Sequence, residues 1–182
     1  MRLRVWVDAC RPVVRVEVNS ATPVTATARI ELWRTTERER ERRESHSPAG
    51  IRSTDERERV YPDTRVDVGR DAVAWCHRNS ASCWAATLEL QHLDGLLASS
   101  HDPLLNHTFG ALVRGEGLVT VADDTLQTAA PRARFVLSVH PLAAPTATLD
   151  DWVRRVQAQA DASDAVPLEV ACTEHLDWWH TF

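Results

Sequence analysis

The first third of the chain alternates apolar and polar residues with a period of two. The alternation covers three stretches, Arg2–Asp8, Val14–Val18 and Val24–Trp33, which are joined by short connections. Successive side chains of a β-strand point to opposite faces, so this period is typical of strands that bury one face. Because short connections join antiparallel neighbours, the pattern predicts an antiparallel meander at the start of the fold.

Downstream patterns predict more strands, one internal helix and two terminal helices. A polar, Arg/Glu-rich excursion covers residues 35–69, a buried strand is expected at Ala72–His77, and an embedded helix at about 82–97. Short strands follow the embedded helix. Thr148, with Asp151 three residues later, then predicts the start of a helix, because a hydroxyl and an acidic side chain at this spacing cap the first turn.

This order of elements predicts a mainly β fold with α-helices. We expect an antiparallel β-sandwich over residues 1–145, followed by a helical connector over residues 146–182. The first strand begins at residue 2 with no lead-in. We therefore expect the sandwich to be incomplete on its N-terminal side.

The last helix carries an apolar face that runs to the final residue. Trp178, Trp179 and Phe182 continue a spacing of three and four residues that begins upstream at Leu168. If the two adjacent Trp side chains stayed exposed at a frayed terminus, each would lose a burial free energy of about 1.5–3 kcal/mol. We therefore expect these three residues to pack on a further domain, which makes the chain a segment of a larger protein.

Charge and hydropathy exclude several classes of protein. The net charge is −5, so no overall basic field favours nucleic acid as a partner. No stretch is long and apolar enough to predict a membrane span, and no N-terminal segment has the features of a signal peptide. Whether Met1 is the native start is open, so the compartment stays unknown, and a secreted or periplasmic parent protein is compatible with the sequence.

Two polar clusters are candidates for ligand contacts. The first, Trp75 with His77, Arg78 and Asn79, lies where a strand should end and a loop begin. An indole can stack on the apolar face of a sugar ring while the other three side chains bond its hydroxyls. The alternative is a core Trp beside a strand-end polar network.

The second polar cluster follows the Asp-Pro turn at residues 102–103. Asp102 and Thr108 offer polar groups that could converge on a ligand. The alternative is a capped loop that anchors itself through its own leucines and Phe109.

Catalytic, metal and cofactor signals are weak. The Cys and His residues between 76 and 107 have irregular spacings, so we predict no metal site. Asp123-Asp124 is better explained by a turn and Asp150-Asp151 by a helix N-terminus, which leaves no visible carboxyl pair for glycoside hydrolysis. The chain contains no G-x-S-x-G, G-x-G-x-x-G or P-loop motif. We therefore predict no catalytic residues and no cofactor within this segment.

Several motifs, in order along the chain, carry a resemblance to a known family. They are Val5-Trp6-Val7-Asp8-Ala9 with Arg11-Pro12-Val13-Val14, the stretch Trp75–Asn79, Asp102-Pro103-Leu104-Leu105 with Thr108-Phe109-Gly110, and His175 with Trp178-Trp179 and Phe182. With these motifs the chain resembles the N-terminal domain of an uncharacterised, glycoside-hydrolase-like bacterial family, a domain of unknown function. That family is similar to fucosidase-like enzymes, which join a β-sandwich to an (α/α)6 barrel.

The resemblance implies a function for the parent protein more than for this segment. It implies that an intramolecular (α/α)6 catalytic domain follows, that the parent protein acts on carbohydrate, and that Trp178-Trp179 belongs to the connector between the two domains. It also implies strands before Met1. The sequence departs from the family at Cys76, where an aromatic residue is usual, and at His107, where Arg is usual.

The resulting functional prediction is a non-catalytic N-terminal β-sandwich of a glycoside hydrolase. It would support the catalytic barrel and lend loop residues to a carbohydrate-binding cleft. The alternative is a stand-alone sandwich that binds carbohydrate or protein without catalysis. The alternative predicts a monodisperse isolated chain, whereas a segment with exposed Trp178-Trp179 predicts self-association.

Overall fold

Antiparallel strands dominate the structure, as the alternating pattern predicts. A computed structural model describes residues 1–39, 59–82 and 84–182. The strands are β1 (Arg2–Val7), β2 (Val14–Val24), β3 (Thr27–Arg29), β4 (Arg38–Glu39), β5 (Arg59–Val60), β6 (Thr64–Val66), β7 (Ala72–Arg78), β8 (His107–Gly115), β9 (Leu118–Ala122), β10 (Thr125–Thr128) and β11 (Arg132–Pro145). The helices are α1 (Trp84–Leu90), α2 (Leu149–Asp164) and α3 (Leu168–Thr181), with a 3-10 turn at Asp94–Leu96.

Two sheets form a β-sandwich. The larger has six strands in the order β1-β2-β11-β8-β7-β6, and the smaller has the order β3-β10-β9. All of the pairings in both sheets are antiparallel. A two-residue ladder joins β4 to β5. This arrangement, followed by two C-terminal helices, confirms the predicted mainly β sandwich with helices.

Each face of the six-stranded sheet carries its own core. On one face, Ala74, Cys76 and Leu112 pack against Trp152 and Val156 of α2. On the other, residues of β7 and β8 pack against the three-stranded sheet; the buried members are Val73, Val113, Leu118 and Leu126. Because β7 is covered on both sides, it is almost wholly buried, as its unbroken apolar start predicts.

Local signals explain how α2 begins. Thr148 is extended, and its hydroxyl accepts a hydrogen bond from the amide of Asp151 at 3.1 Å. Asp150 and Asp151 lie in the first turn, where negative charge is favoured. The predicted cap at Thr148 is therefore confirmed.

Three details differ from the sequence prediction. The stretch Val24–Trp33 begins at the last residue of β2 and then holds the short strand β3, because the chain leaves the larger sheet and pairs with β10 in the second sheet. The first three strands therefore do not form one meander. The helix expected at about 82–97 ends at Leu90 and is followed by the 3-10 turn. The centre of the excursion predicted at 35–69 lies outside the described residues.

Candidate functional site

Strand alternation divides the first predicted cluster between two faces of the sheet. Trp75 and His77 pair with Ala111 and Phe109 on the face that also carries Val73, towards the smaller sheet. Arg78 lies on the opposite face, which α2 covers. The structure therefore brings Trp75 together with His77, but not with Arg78.

Trp75 lines an open cleft of about 390 Å³ on the face of the larger sheet that points towards the smaller sheet. The cleft also contains the indole of Trp33, which is 90% exposed, and the charged side chains of Arg34 and Asp63. Glu31 and Leu32 complete the lining. Two indoles and several charged groups thus share one concave surface.

Asp63 organises the polar groups of this cleft. Its Oδ1 accepts a hydrogen bond from Arg34 Nε at 2.7 Å and lies 3.0 Å from His77 Nδ1. The Asp63 side chain is 6% exposed, so both contacts are shielded from water. The Arg34 guanidinium also lies 5.3 Å from the ring centroid of Phe109, a cation–π contact. These contacts hold Arg34 in one orientation at the cleft wall.

Burial and nearby charges shift the pKa values of His77 and Cys76. Burial lowers the pKa of His77, the Arg34 charge acts in the same direction, and the contact with Asp63 opposes both. The neutral ring then donates its Nδ1 proton to Asp63. Burial and the Asp63 charge raise the pKa of the Cys76 thiol to about 11, so Cys76 stays protonated at neutral pH.

Arg78 forms several hydrogen bonds on the face of the six-stranded sheet that α2 covers. Its guanidinium donates to Thr108 Oγ1 at 2.9 Å, Thr146 O at 2.8 Å and Asn106 Oδ1 at 2.9 Å. It also donates to the carbonyl of Ala147 at 3.0 Å. Thr108 is fully buried, and its hydroxyl lies 2.9 Å from that of Thr146. Arg78 and Thr108 therefore meet each other, away from the cleft, and link β7 and β8 to the start of α2.

Asn79 and Asp102 make local contacts. The amide of Asn79 donates to His107 O at 2.9 Å, which extends the pairing of β7 with β8. Asp102 Oδ1 accepts hydrogen bonds from the amides of Leu104 and Leu105 at 2.8 and 3.1 Å. Burial alone would raise the pKa of Asp102, but hydrogen bonds from Ser82 and these two amides lower it. These contacts fix the loop before β8.

The sequence prediction missed Trp33, Arg34 and Asp63. Trp33 had a visible signal, because it is an indole on the otherwise polar side of the alternating stretch Val24–Trp33. Arg34 and Asp63 are ordinary charged residues at the edge of a polar region. Their pairing depends on a contact across 29 residues, which no local pattern reveals.

Helix α3 presents an exposed aromatic cluster, which consists of Trp178, Trp179 and Phe182. The side chains are 42%, 56% and 92% exposed. Trp178 stacks on Phe182 with ring centroids 5.2 Å apart and meets Trp179 edge-on at 4.9 Å. The helix is held to the sheet by His175, whose ring lies 5.0 Å from that of Trp6. The three predicted packing residues therefore lie together, and each of them is exposed to solvent.

The described part of the chain holds neither a metal-binding cluster nor a membrane-spanning helix. Within residues 1–39, 59–82 and 84–182, no group of three or more His, Cys, Asp or Glu side chains could hold a metal ion. No helix among the same residues is long and apolar enough to cross a membrane.

A comparison with protein families matches the whole chain, residues 1–182, to the model DUF5703_N, described as a domain of unknown function (DUF5703). The chain belongs to the DUF5703 family. The family description names no activity and no substrate, so the similarity of this DUF5703 domain to fucosidase-like enzymes stays a prediction. No curated protein and no solved structure matches the chain.

Proposed function

We propose that this DUF5703 domain is the non-catalytic N-terminal β-sandwich of a glycoside-hydrolase-like protein, and that it contacts carbohydrate through the cleft between Trp33 and Trp75. The observation that carries the proposal is the joint presence of two indoles and fixed charged groups in one open cleft. Indole faces stack on the apolar faces of sugar rings, and charged groups bond the hydroxyls at the ring edge. The volume, about 390 Å³, falls in the range of small-molecule sites.

The contacts of Asp63 favour a binding role over a catalytic one. A glycosidase needs one carboxyl group that donates a proton and a second across the sugar ring. Asp63 Oδ1 is instead engaged by Arg34 and His77. The carboxylate therefore serves to orient neighbouring side chains, and the catalytic carboxylates of the parent protein would lie in another domain.

The aromatic cluster of α3 supports a second part of the proposal, that this helix packs on the catalytic domain. Contiguous exposed apolar patches are uncommon on monomeric proteins and mark interaction sites. Trp and Phe are enriched where such sites are buried by a partner. Trp178, Trp179 and Phe182 would then form the contact with the (α/α)6 barrel that the family resemblance implies.

Carbohydrate binding is tested by calorimetry on the native gene product that contains this domain, titrated with cello-, xylo-, galacto- and fucosyl-oligosaccharides. We expect at least one to bind, and we expect Trp33→Ala to weaken that binding about tenfold, the equivalent of about 1.4 kcal/mol. Trp33 is 90% exposed, so the substitution should leave the unfolding midpoint unchanged. Trp75→Ala should weaken the same binding.

Val121→Ala is the matched control, since it removes an apolar side chain that is 55% exposed and does not line the cleft. It should leave the affinity for the oligosaccharide unchanged. Absence of heat with every oligosaccharide would contradict the carbohydrate role. Equal loss of affinity in Trp33→Ala and Val121→Ala would contradict the assignment of the cleft.

Packing of α3 is tested by hydrogen–deuterium exchange. Amides of α3 should exchange at least tenfold more slowly in the native gene product than in a chain of residues 1–182, because a partner domain covers the helix. Trp178→Glu in the gene product should restore fast exchange. Equal exchange rates in the two proteins would show that no other domain covers the aromatic cluster.

A further inference from the structure

The wall of the cleft formed by residues 31–33 is anchored at both of its ends. Before it, the amide of Ile30 donates to the carbonyl of Asp124 at 2.8 Å. After it, the amide of Asp63 donates to the carbonyl of Arg34 at 2.8 Å, and the two side chains are bonded as well. Only three residues lie between these anchors. The cleft is therefore largely formed before a ligand enters, which lowers the entropy cost of binding.

The two indoles of the cleft are available to a ligand. Ring contacts among the described residues involve other side chains, so Trp33 and Trp75 do not stack on each other. Neither indole N–H has a hydrogen-bond partner in the same part of the chain. The face of an indole is the electron-rich side of the ring, and it attracts a cation as well as the apolar face of a sugar.

The positive charges at the cleft are compensated by aspartates. Arg34 Nε donates to Asp63 at 2.7 Å, and the Asp63 side chain is only 6% exposed. Arg65 lies on β6 directly opposite Trp75. Its guanidinium donates to both carboxylates of the Asp123-Asp124 turn, at 3.3 and 3.4 Å. Neither arginine therefore presents an uncompensated positive charge to a ligand.

Glu31 carries the uncompensated charge of the cleft. Its side chain is exposed, and no ion pair or hydrogen bond engages its carboxylate among the described residues. The lining of the cleft holds two carboxylates and one guanidinium, so its net formal charge is negative. The net charge of the whole chain, −5, adds a potential of the same sign. The cleft therefore favours a ligand that brings a positive charge.

We infer that the cleft binds a sugar that carries a protonated amine, such as a 2-amino-2-deoxyhexose. This inference rests on the proposed carbohydrate role and names the class of sugar. The apolar face of the ring stacks on one indole, while the ammonium group lies between the Glu31 carboxylate and the face of the other indole. A sugar with a carboxylate is disfavoured, because it would face the like charge of Glu31.

The test compares β-1,4-linked glucosamine disaccharide with cellobiose by calorimetry on the native gene product, at about pH 6, where amines are protonated. The two probes share one linkage and differ in the group on C2 of each ring, ammonium in the first and hydroxyl in the second. We expect the glucosamine disaccharide to bind about tenfold more tightly. Glu31→Gln should reduce this ratio to about threefold or less, because it removes the charge and keeps the shape. Glu31→Asp keeps the charge and should retain most of the preference.

Glu116→Gln is the matched control, because it removes the same charge from a side chain that is 91% exposed and does not line the cleft. It should leave the preference unchanged. The inference alone is overturned if cellobiose binds as tightly as the glucosamine disaccharide, or if Glu31→Gln and Glu116→Gln reduce the preference equally. Absence of heat with both disaccharides and with the neutral oligosaccharides would instead contradict the carbohydrate role itself.

Discussion

Replacing Trp152 by alanine is expected to lower the free energy of unfolding by about 3–5 kcal/mol, the usual cost of truncating a buried Trp. Trp152 is fully buried at the centre of the core between α2 and the six-stranded sheet. Its Nε1 also donates to the carbonyl of Leu142 on β11 at 3.2 Å. The substitution therefore leaves a cavity and removes a hydrogen bond to a strand carbonyl.

Urea denaturation followed by circular dichroism measures this loss. Trp33→Ala provides the matched control, because it removes an indole that is 90% exposed and should change the free energy of unfolding by less than about 0.5 kcal/mol. A loss below about 1 kcal/mol for Trp152→Ala would show that α2 contributes little to the stability of the sandwich. Helix α2 would then contribute little to holding α3 and the aromatic cluster in place.

The sequence patterns predicted which residues share a face better than they predicted what covers that face. Leu3, Val5 and Val7 do share a face, and they align with the apolar residues of β2. Their exposure depends on the width of the smaller sheet, whose packing reaches Leu137 and Val139 of β11. That width arises from pairing of β3 with β10, which are about a hundred residues apart in sequence. A period of two contains no information about such a distant partner.

The same dependence on contacts between distant residues limits what the sequence predicts of the candidate site. Alternation alone separates His77 from Arg78, so their placement on opposite faces could be predicted. Trp75 and His77 do lie on one strand, β7, as the predicted buried strand at Ala72–His77 requires. The cleft, however, depends on tertiary contacts, because Arg34 bonds Asp63 and Asp63 contacts His77. Charged residues in a polar region give no sign of which of them become buried.

A buried charge cluster under α2 leads to the second large expected effect. Asp164, the last residue of α2, accepts hydrogen bonds from Arg15 Nη1 at 2.5 Å and Arg114 Nε at 2.7 Å. His140 Nε2 lies 3.4 Å from the same carboxylate, and the His140 side chain is fully buried. The Arg15 side chain is only 5% exposed. One carboxylate thus compensates the positive charge of two arginines, which β2 and β8 place beneath the helix.

Asp164→Asn is expected to cost about 3–5 kcal/mol of unfolding free energy, because removing one partner leaves a buried charge uncompensated. Arg15 would then face neutral acceptors, among them the Ser138 hydroxyl at 2.6 Å and the Ser163 carbonyl at 3.0 Å, with no carboxylate to balance its charge. Asp161→Asn is the matched control. Asp161 also bonds Arg114, but its side chain is 72% exposed, so its loss should cost less than about 1 kcal/mol.

The pH dependence of stability gives an independent measure of the same carboxylate. Burial alone would raise the pKa of Asp164, but the interactions with His140, Arg15 and Arg114 outweigh it and hold the pKa well below its usual value. A carboxyl whose pKa is lower in the folded than in the unfolded chain stabilises the fold fully above the unfolded pKa, about 3.9, and loses that contribution as the pH falls towards the folded pKa.

We therefore expect the wild type to lose stability below about pH 5, and the gap between wild type and Asp164→Asn to narrow as the pH falls. Urea denaturation at pH 7, 5, 4 and 3 measures this gap. The gap for Asp161→Asn should stay small throughout. Parallel curves for wild type and Asp164→Asn would show that Asp164 titrates alike in the folded and unfolded chains, and that the arginines beneath α2 are compensated by other groups.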